Sequence, residues 1–342
     1  MPRGVKLDLE KEPSLKEQVI TIPAPKTLPA PKMFASLRKK AAAAKVLERA
    51  RIAEIVDELD GEPLYKKLKR FVSADALTLV AVCFDEDPMT SATQAVFREN
   101  AAKVLAGLDA AAHACRAVSK KIAAASREEF RYVPKNRAGV ELLTAGDRYP
   151  AAVLLRRKWM EKGKSAGFIG GQACAALADA VTRGLAQNET VVTVAGNGAS
   201  RWVNCRVRIG TPVRDVLAAG KLLPETSVVA VGSSVNGRSI TNLSEPVTAA
   251  TRCIIAMKGL PRRKTLPCVG CGRCERACPR GIIPWMILQQ LELEEPNPFR
   301  LFNVEHCIQC ESCSIVCPSG IHLVDAVRRA EKIKEGRENK GC

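Results

Sequence analysis

The chain has 342 residues, with 53 Lys and Arg against 36 Asp and Glu, for a formal charge of +17. That length allows two or three domains and a sizeable core, and no apolar stretch is long enough to span a bilayer. Aromatic residues make up only 4%, and the bases form no dense run, which together argue against a nucleic-acid partner.

The charge is uneven: residues 1–70 carry 16 Lys and Arg against 10 Asp and Glu, and residues 98–164 carry 15 against 7. Residues 71–97 carry Asp75, Asp85, Glu86 and Asp87 and no base. A solvated basic surface is the plain reading. The functional one is docking to an acidic redox partner such as a ferredoxin or flavodoxin. Such a surface also fits weak, peripheral attraction to anionic lipid. The first residues contain no apolar signal core, so the expected setting is a reducing cytoplasm.

In chain order, residues 1–35 read as an extended lead, with Ile22–Pro31 polyproline-like. Residues 36–59 read as helix, with Ile52, Ile55, Val56 and Leu59 on one face. Leu77–Phe84 is a continuous apolar run, expected as a buried strand of a covered parallel sheet. It ends in the acidic turn Asp85-Glu86-Asp87-Pro88. An Ala-rich region over 92–126 reads as helix, completing an α/β unit.

Ala173–Leu185 reads as a helix packed by small residues. Thr190–Ala195 and Val203–Ile209 read as strands joined by the turn Gly196–Ser200. Thr211-Pro212 reads as N-cap and first residue of a short helix, Val213–Ala218, stopped by Gly220. A hairpin feeding a short helix is a β-grasp-like pattern. The turn in Val231–Gly237 signals a second hairpin rather than a nucleotide loop, because no G-x-G-x-x-G leads a strand into a helix.

The C-terminal part carries the strongest chemical signal. Cys268-x2-Cys271-x2-Cys274-x3-Cys278-Pro279 is followed by Cys307-x2-Cys310-x2-Cys313-x3-Cys317-Pro318. Each is a C-x2-C-x2-C-x3-C-P run, the spacing that holds a [4Fe–4S] cluster. Three thiolates come from the tight loop, and the fourth, before proline, usually reaches the other cluster. The expected sets are therefore Cys268, Cys271, Cys274 and Cys317 for one cluster, and Cys307, Cys310, Cys313 and Cys278 for the other. Structural zinc uses paired C-x2-C units and leaves the third in-step cysteine and the proline unexplained, twice. Helices are expected over Ile282–Glu295 and Ile321–Lys334, giving an α-helical dicluster module. Cys83, Cys115, Cys174, Cys205, Cys253 and Cys342 read as small buried hydrophobes or free thiols. His306 reads as a structural neighbour of Cys307. His113 and His322 lack metal-site partners at useful spacing. No Ser/His/Asp or Cys/His catalytic set is evident.

The order of these parts resembles the RnfC family. The resemblance runs through Tyr149-Pro150, Val191–Gly196, Val207–Val213 and Pro246–Ile254 into both cysteine runs, and covers 145–325 well and 55–120 weakly. Relatives include the PduS-type cobalamin reductases and PrdC-type proteins; more remotely, the first domain resembles the flavin-binding subunit of respiratory complex I. The resemblance implies a multidomain α/β plus α+β architecture. Its parts are a Pro-rich lead and helix (1–50), a flavin/NADH-type α/β domain (51–187), a β-grasp domain of the soluble-ligand-binding type (188–257) and a dicluster ferredoxin-type domain (258–342). The family's Gly-rich loop running into G-F-P-x-x-x-K-L survives only at its end, as Gly61, Pro63, Lys67 and Leu68. Asp57, Glu58, Leu59 and Asp60 replace the glycines, blocking backbone approach to a phosphate and opposing it with charge. Ala151, Ala152 and Val153 replace the glycine and acid after the family's Tyr-Pro.

The expectation is a redox subunit that relays electrons through two [4Fe–4S] clusters and holds neither FMN nor NADH in the family manner. Two other readings stand beside it. One is a flavin-dependent NADH or ferredoxin oxidoreductase, including a cobalamin reductase subunit. The other is an assembly subunit whose clusters stabilise the fold.

Overall fold

A computed structural model describes residues 16–25, 28, 32–35, 42–135, 139–146, 148–160, 165–259, 264–293 and 303–338. The chain divides into two compact units. The larger comprises Leu9–Gly146 and Leu155–Gly259; the smaller comprises Asp147–Leu154 and Leu260–Cys342, with the first eight residues.

The larger unit begins with β1 (Lys16–Thr21), inside what the sequence presents as an extended lead. Of the helix expected over 36–59, positions 36–41 lie outside the described residues, and α1 spans Ala43–Ile52, ending short of Leu59. The chain then turns through Gly61, at φ 73°, and resumes as α2 (Leu64–Val72). Pro63 fits this start, because proline is pre-organised for a first helical turn.

Next come β2 (Thr78–Val82), α3 (Ala92–Glu99), α4 (Ala101–Cys115) and β3 (Ser119–Ala124). The Ala-rich region over 92–126 is thus two helices and a strand. Asn100 breaks the helix and caps α4, its side chain accepting from the Lys103 backbone N–H. Then follow β4 (Val140–Thr144), α5 (Ala151–Met160), β5 (Ala166–Gly170) and α6 (Gly171–Thr182). Strands β2 to β5 form a parallel sheet in the order β4-β3-β2-β5. The chain steps outward from β2 to β3 and β4, then returns to the other side of β2. The point of reversal, at the carboxyl ends of β2 and β5, is where open α/β sheets receive ligands. The apolar side chains of β2 meet α1, α2, α4 and α6 in one core that includes Leu64, Leu68, Leu79, Phe97, Leu108, Ile169 and Leu177.

The second sheet uses β6 (Glu189–Ala195), β7 (Val203–Arg208), β8 (Val228–Val231), β9 (Arg238–Ile240) and β10 (Cys253–Met257). Its order is β1-β7-β6-β10-β8-β9. The β6–β7 hairpin is antiparallel, and β10 inserts parallel to β6 at the centre. Helix α7 (Val213–Leu217) follows the hairpin, packing Val213, Val216 and Leu217 on Val192, Val194 and Ile254. Pro212 stands at its N-cap with no side-chain cap bond, so Thr211 does not cap it as the sequence suggests.

Among its described residues the smaller unit carries, after the first cysteines, the helices α8 (Arg273–Ala277), α9 (Pro284–Leu291), α10 (Ser312–Ile315) and α11 (Leu323–Glu338). Helices α9 and α11 are the expected connectors. The expected end of the first, at Glu295, lies outside the described residues. Ile282, Ile287, Val304, Val327 and Ala330 form a small core that includes Cys278. Among the described residues no helix is long and apolar enough to cross a membrane.

Candidate metal centres

The two cysteine runs fold into loops of matching backbone. In the first, Gly270 and Gly272 flank Cys271 at φ 62° and 67°. In the second, Gln309 and Glu311 flank Cys310 at φ 52° and 61°. A left-handed residue on either side of the middle cysteine curls the chain around the side facing the thiols. Glycine adopts that conformation freely, whereas Gln309 and Glu311 do so at roughly 1–2 kcal/mol each. Side-chain contacts hold them there. Arg328 donates Nε to Gln309 Oε1 at 3.2 Å, and His322 Nε2 lies 3.1 Å from Glu311 Oε2.

The loops are cross-tied. Leu266 N–H donates to Ser319 O at 2.8 Å, and Ser319 Oγ donates to Pro267 O at 2.9 Å. These bonds draw the entry of the first run against the exit of the second. As a result Cys268, Cys271, Cys274 and Cys317 line one cavity. Cys278, Cys307, Cys310 and Cys313 line another. The rest of each lining is mostly apolar: Trp285, Ile321 and Leu323 in the first, Ile282, Val324 and Val327 in the second.

The donor chemistry suits a multinuclear iron–sulfur group. All eight thiols are free. Among the described residues, no set of three or more His, Cys, Asp or Glu side chains is placed to hold a metal ion directly. The sulfurs surround a space instead of meeting at one point. Burial is the first cause that raises the thiols of Cys274, Cys307 and Cys310. Gln309 N–H reaches Cys307 Sγ at 3.4 Å, and Cys310 Sγ lies 3.3 Å from Ser312 Oγ. Hydrogen bonds to sulfur are one of the means by which a protein sets a cluster's potential.

The histidines stay outside. His306 Nδ1 sits 3.5 Å from Glu305 Oε1, and His322 Nδ1 pairs with Asp325 at 2.7 Å. Cys83, Cys115, Cys174, Cys205 and Cys253 are buried in the larger unit. Cys342 lies outside the described residues.

The stretch Asp57–Asp60 has a structure of its own. Asp57 and Glu58 are buried at the carboxyl end of β5. Glu58 accepts the backbone N–H groups of Gln172 at 2.7 Å and Ala173 at 2.9 Å, in the first turn of α6. Asp57 Oδ1 accepts from Gly170 N–H at 3.1 Å and Leu59 N–H at 3.0 Å. Its Oδ2 takes Lys67 Nζ at 2.6 Å, and Lys67 also reaches Asp60 at 2.8 Å. The N–H groups at a helix start are ready donors, and here the Glu58 carboxyl group accepts them. A Cβ on Gly170 would lie 2.2 Å from the Glu58 carboxylate, so glycine is required for the approach. The acidic side chains therefore do more than oppose a phosphate by charge: Glu58 takes up the first N–H groups of α6, and Asp57 pairs with Lys67. A flavin phosphate does not fit at this helix start.

Burial pushes Glu58 up to about 8, with the Asp57 carboxylate adding and the two N–H groups opposing. Burial also raises Asp57. Burial lowers Lys67, but charge and hydrogen bonds from Asp57 and Asp60 together outweigh it and hold the ammonium above its usual value.

The acidic element after β2 is structural. Asp87 is buried and accepts from Ser234 N–H and from the hydroxyls of Ser233 and Ser234, tying the turn before α3 to the β8–β9 turn. Asp85 Oδ2 accepts from Gln94 N–H at 3.0 Å in α3.

Comparison with known proteins agrees with this chemistry. Residues 267–321 match the family model of the 4Fe-4S dicluster domain. Curated relatives are described as the C component of the ion-translocating oxidoreductase complex. That of Rhodobacter capsulatus is 40% identical over 97 residues, 28% of this chain and 19% of that protein. That of Pseudomonas aeruginosa is 29% identical over 265 residues, 70% of this chain and 34% of the relative. That of Yersinia enterocolitica is 26% identical over 289 residues, 79% and 41%. The chain thus spans well under half the length of these relatives. Among solved structures, an air-oxidised NAD+-reducing [NiFe]-hydrogenase superposes with a TM-score of 0.55 at 15% identity, over 84% of this chain and 60% of that one. At that identity the likeness is one of fold.

Proposed function

We propose that this RnfC-like chain is an electron-transfer subunit that relays single electrons through two [4Fe–4S] clusters, to or from a redox partner within an oxidoreductase complex. One cluster is assigned to Cys268, Cys271, Cys274 and Cys317, the other to Cys278, Cys307, Cys310 and Cys313. The observation that carries this reading is the pair of cavities, each ringed by three cysteines of one run and the last cysteine of the other. Bound clusters supply reversible one-electron chemistry. The chain supplies thiolates from four directions, apolar walls that exclude water, and N–H and hydroxyl groups near sulfur.

The larger unit is read as a scaffold that has given up the family's flavin site. Glu58 at the start of α6 supports that reading. The mixed sheet with its hairpin, helix and central parallel strand supports reading 188–257 as a β-grasp domain. The setting is proposed to be cytoplasmic, with any membrane contact made through partners.

Anaerobic purification followed by iron, sulfide and flavin determination tests the whole. The reading expects about eight iron and eight sulfide per chain, with flavin well below one per chain. Zinc in place of iron, or one flavin per chain, would overturn it.

A further inference from the structure

The two cysteine loops share a backbone but are held in different ways. In the first, Gly270 and Gly272 take the left-handed positions beside Cys271. A Cβ on Gly270 would meet nothing within 4 Å, so glycine serves there for backbone freedom and not for want of room. Arg276, in the helix that follows, donates to Cys271 O at 3.1 Å. That anchor lies within the first run itself.

The second loop puts Gln309 and Glu311 in the same positions and takes its hold from a separate helix. Arg328 of α11 donates Nε and Nη2 to Gln309 Oε1 at 3.2 and 3.1 Å. The same Nη2 lies 3.9 Å from Oε1 of Glu311, whose side chain is 7% exposed. Asp325, a turn earlier on α11, accepts from Arg328 Nη1 at 3.1 Å and fixes the guanidinium. His322 completes the frame, with Nε2 3.1 Å from Glu311 and Nδ1 2.7 Å from Asp325. One guanidinium thus reaches both left-handed residues that flank Cys310, and it opposes a buried carboxylate next to that thiol. A buried charge that loses its partner destabilises its surroundings, and a left-handed Gln or Glu needs contacts to hold it.

We infer that Arg328 is the positioning residue of the second centre, the one assigned to Cys278, Cys307, Cys310 and Cys313, and that it acts in two separable ways. Its planar fork holds the loop so that these thiols keep lining one cavity. Its positive charge, which is permanent because guanidinium does not deprotonate in proteins, raises the potential at which the second centre accepts an electron. The inference rests on the two-cluster function proposed above.

The test uses the full chain purified without oxygen. Arg328→Gln and Arg328→Lys are compared with wild type and with Arg329→Gln, which removes the same charge from an exposed position of the same helix. The EPR signal that survives in Cys317→Ala identifies the second centre. In redox titrations Arg328→Gln is expected to make that centre about tenfold harder to reduce, a fall of about 59 mV for one electron, and to leave the first centre unmoved. Arg328→Lys keeps the charge and should keep most of the potential. Both variants should release the second centre's iron to a chelator about tenfold faster, since lysine lacks the fork. In a Gln309→Gly/Glu311→Gly background, Arg328→Gln should no longer speed that release, because glycine adopts the loop conformation unaided. Where Arg328→Gln alone takes up no iron at the second set, the hold is upheld, and the potential is read with and without it in the glycine background. Arg329→Gln should match wild type in both measurements. An Arg328→Gln protein whose second centre keeps the wild-type potential and release rate overturns the positioning role. Zinc in place of iron in the wild type overturns the two-cluster function instead.

Discussion

The cysteines are crossed between loops, and this is the assignment most open to test at the level of single residues. Cys317 lies at the end of the second run but lines the cavity of the first. Cys317→Ala is therefore expected to lose the iron held with Cys268, Cys271 and Cys274, while the other set keeps its metal. Iron analysis with EPR should find about half the wild-type content and one surviving signal, and Cys278→Ala should show the reverse pattern. Glu58 makes a second claim at this scale. Its folded-state value, about 8, lies above the ordinary 4.5, so the native state holds a proton that the unfolded state has released. Its contribution is then fully present below about 4.5 and is lost as pH rises through about 8. Anaerobic urea unfolding is expected to give a lower midpoint at pH 8.5 than at pH 6, and Glu58→Gln should flatten that slope whatever its own midpoint. A slope unchanged in the variant would place the titration elsewhere.

At the scale of elements, the close approach of α4 to α6 governs the first core. A Cβ on Gly107 would lie 1.8 Å from the Cys174 carbonyl oxygen. Gly107→Ala must push the helices apart, and a loss of about 1–3 kcal/mol is expected in chemical denaturation, against the small gain that alanine brings to a free helix. This contact also shows what the sequence conceals. The small residues of Ala173–Leu185 announce a tightly packed helix but do not say which partner comes near. Strand β3 was hidden for a related reason. Ser119-Lys120-Lys121 gives it a polar start and Ala123-Ala124 a helix-favouring end, so its pattern continues that of α4. The sheet overrides that preference, with Lys121 pairing to Glu141 on β4 and lying 5.1 Å from the Trp159 ring. Similarly, β1 gains its place only by pairing in parallel with β7, nearly two hundred residues away, which no local pattern could reveal. The cysteine loops were more legible because their spacing is itself the geometry. Even there, Gln309 and Glu311 gave no sign of a left-handed backbone, since their side chains reach Arg328 and His322 only once α11 has packed.

On the scale of the whole molecule, one unit carries an open α/β sheet beside which Glu58 takes the first N–H groups of α6, while the other carries all eight cysteines of the two runs. The acids at 57, 58 and 60 are plain in the sequence, and their charge suggests repulsion of a phosphate. The arrangement of the replacements was not visible, because it depends on α6, more than a hundred residues later, presenting Gln172 and Ala173 N–H to Glu58. The most direct test is the composition of the full chain purified without oxygen. About eight iron and eight sulfide per chain, little or no flavin, and a redox titration showing two one-electron centres by EPR are the result this account predicts. One bound flavin per chain with NADH bleaching the iron–sulfur absorbance, or zinc in place of iron, would contradict it.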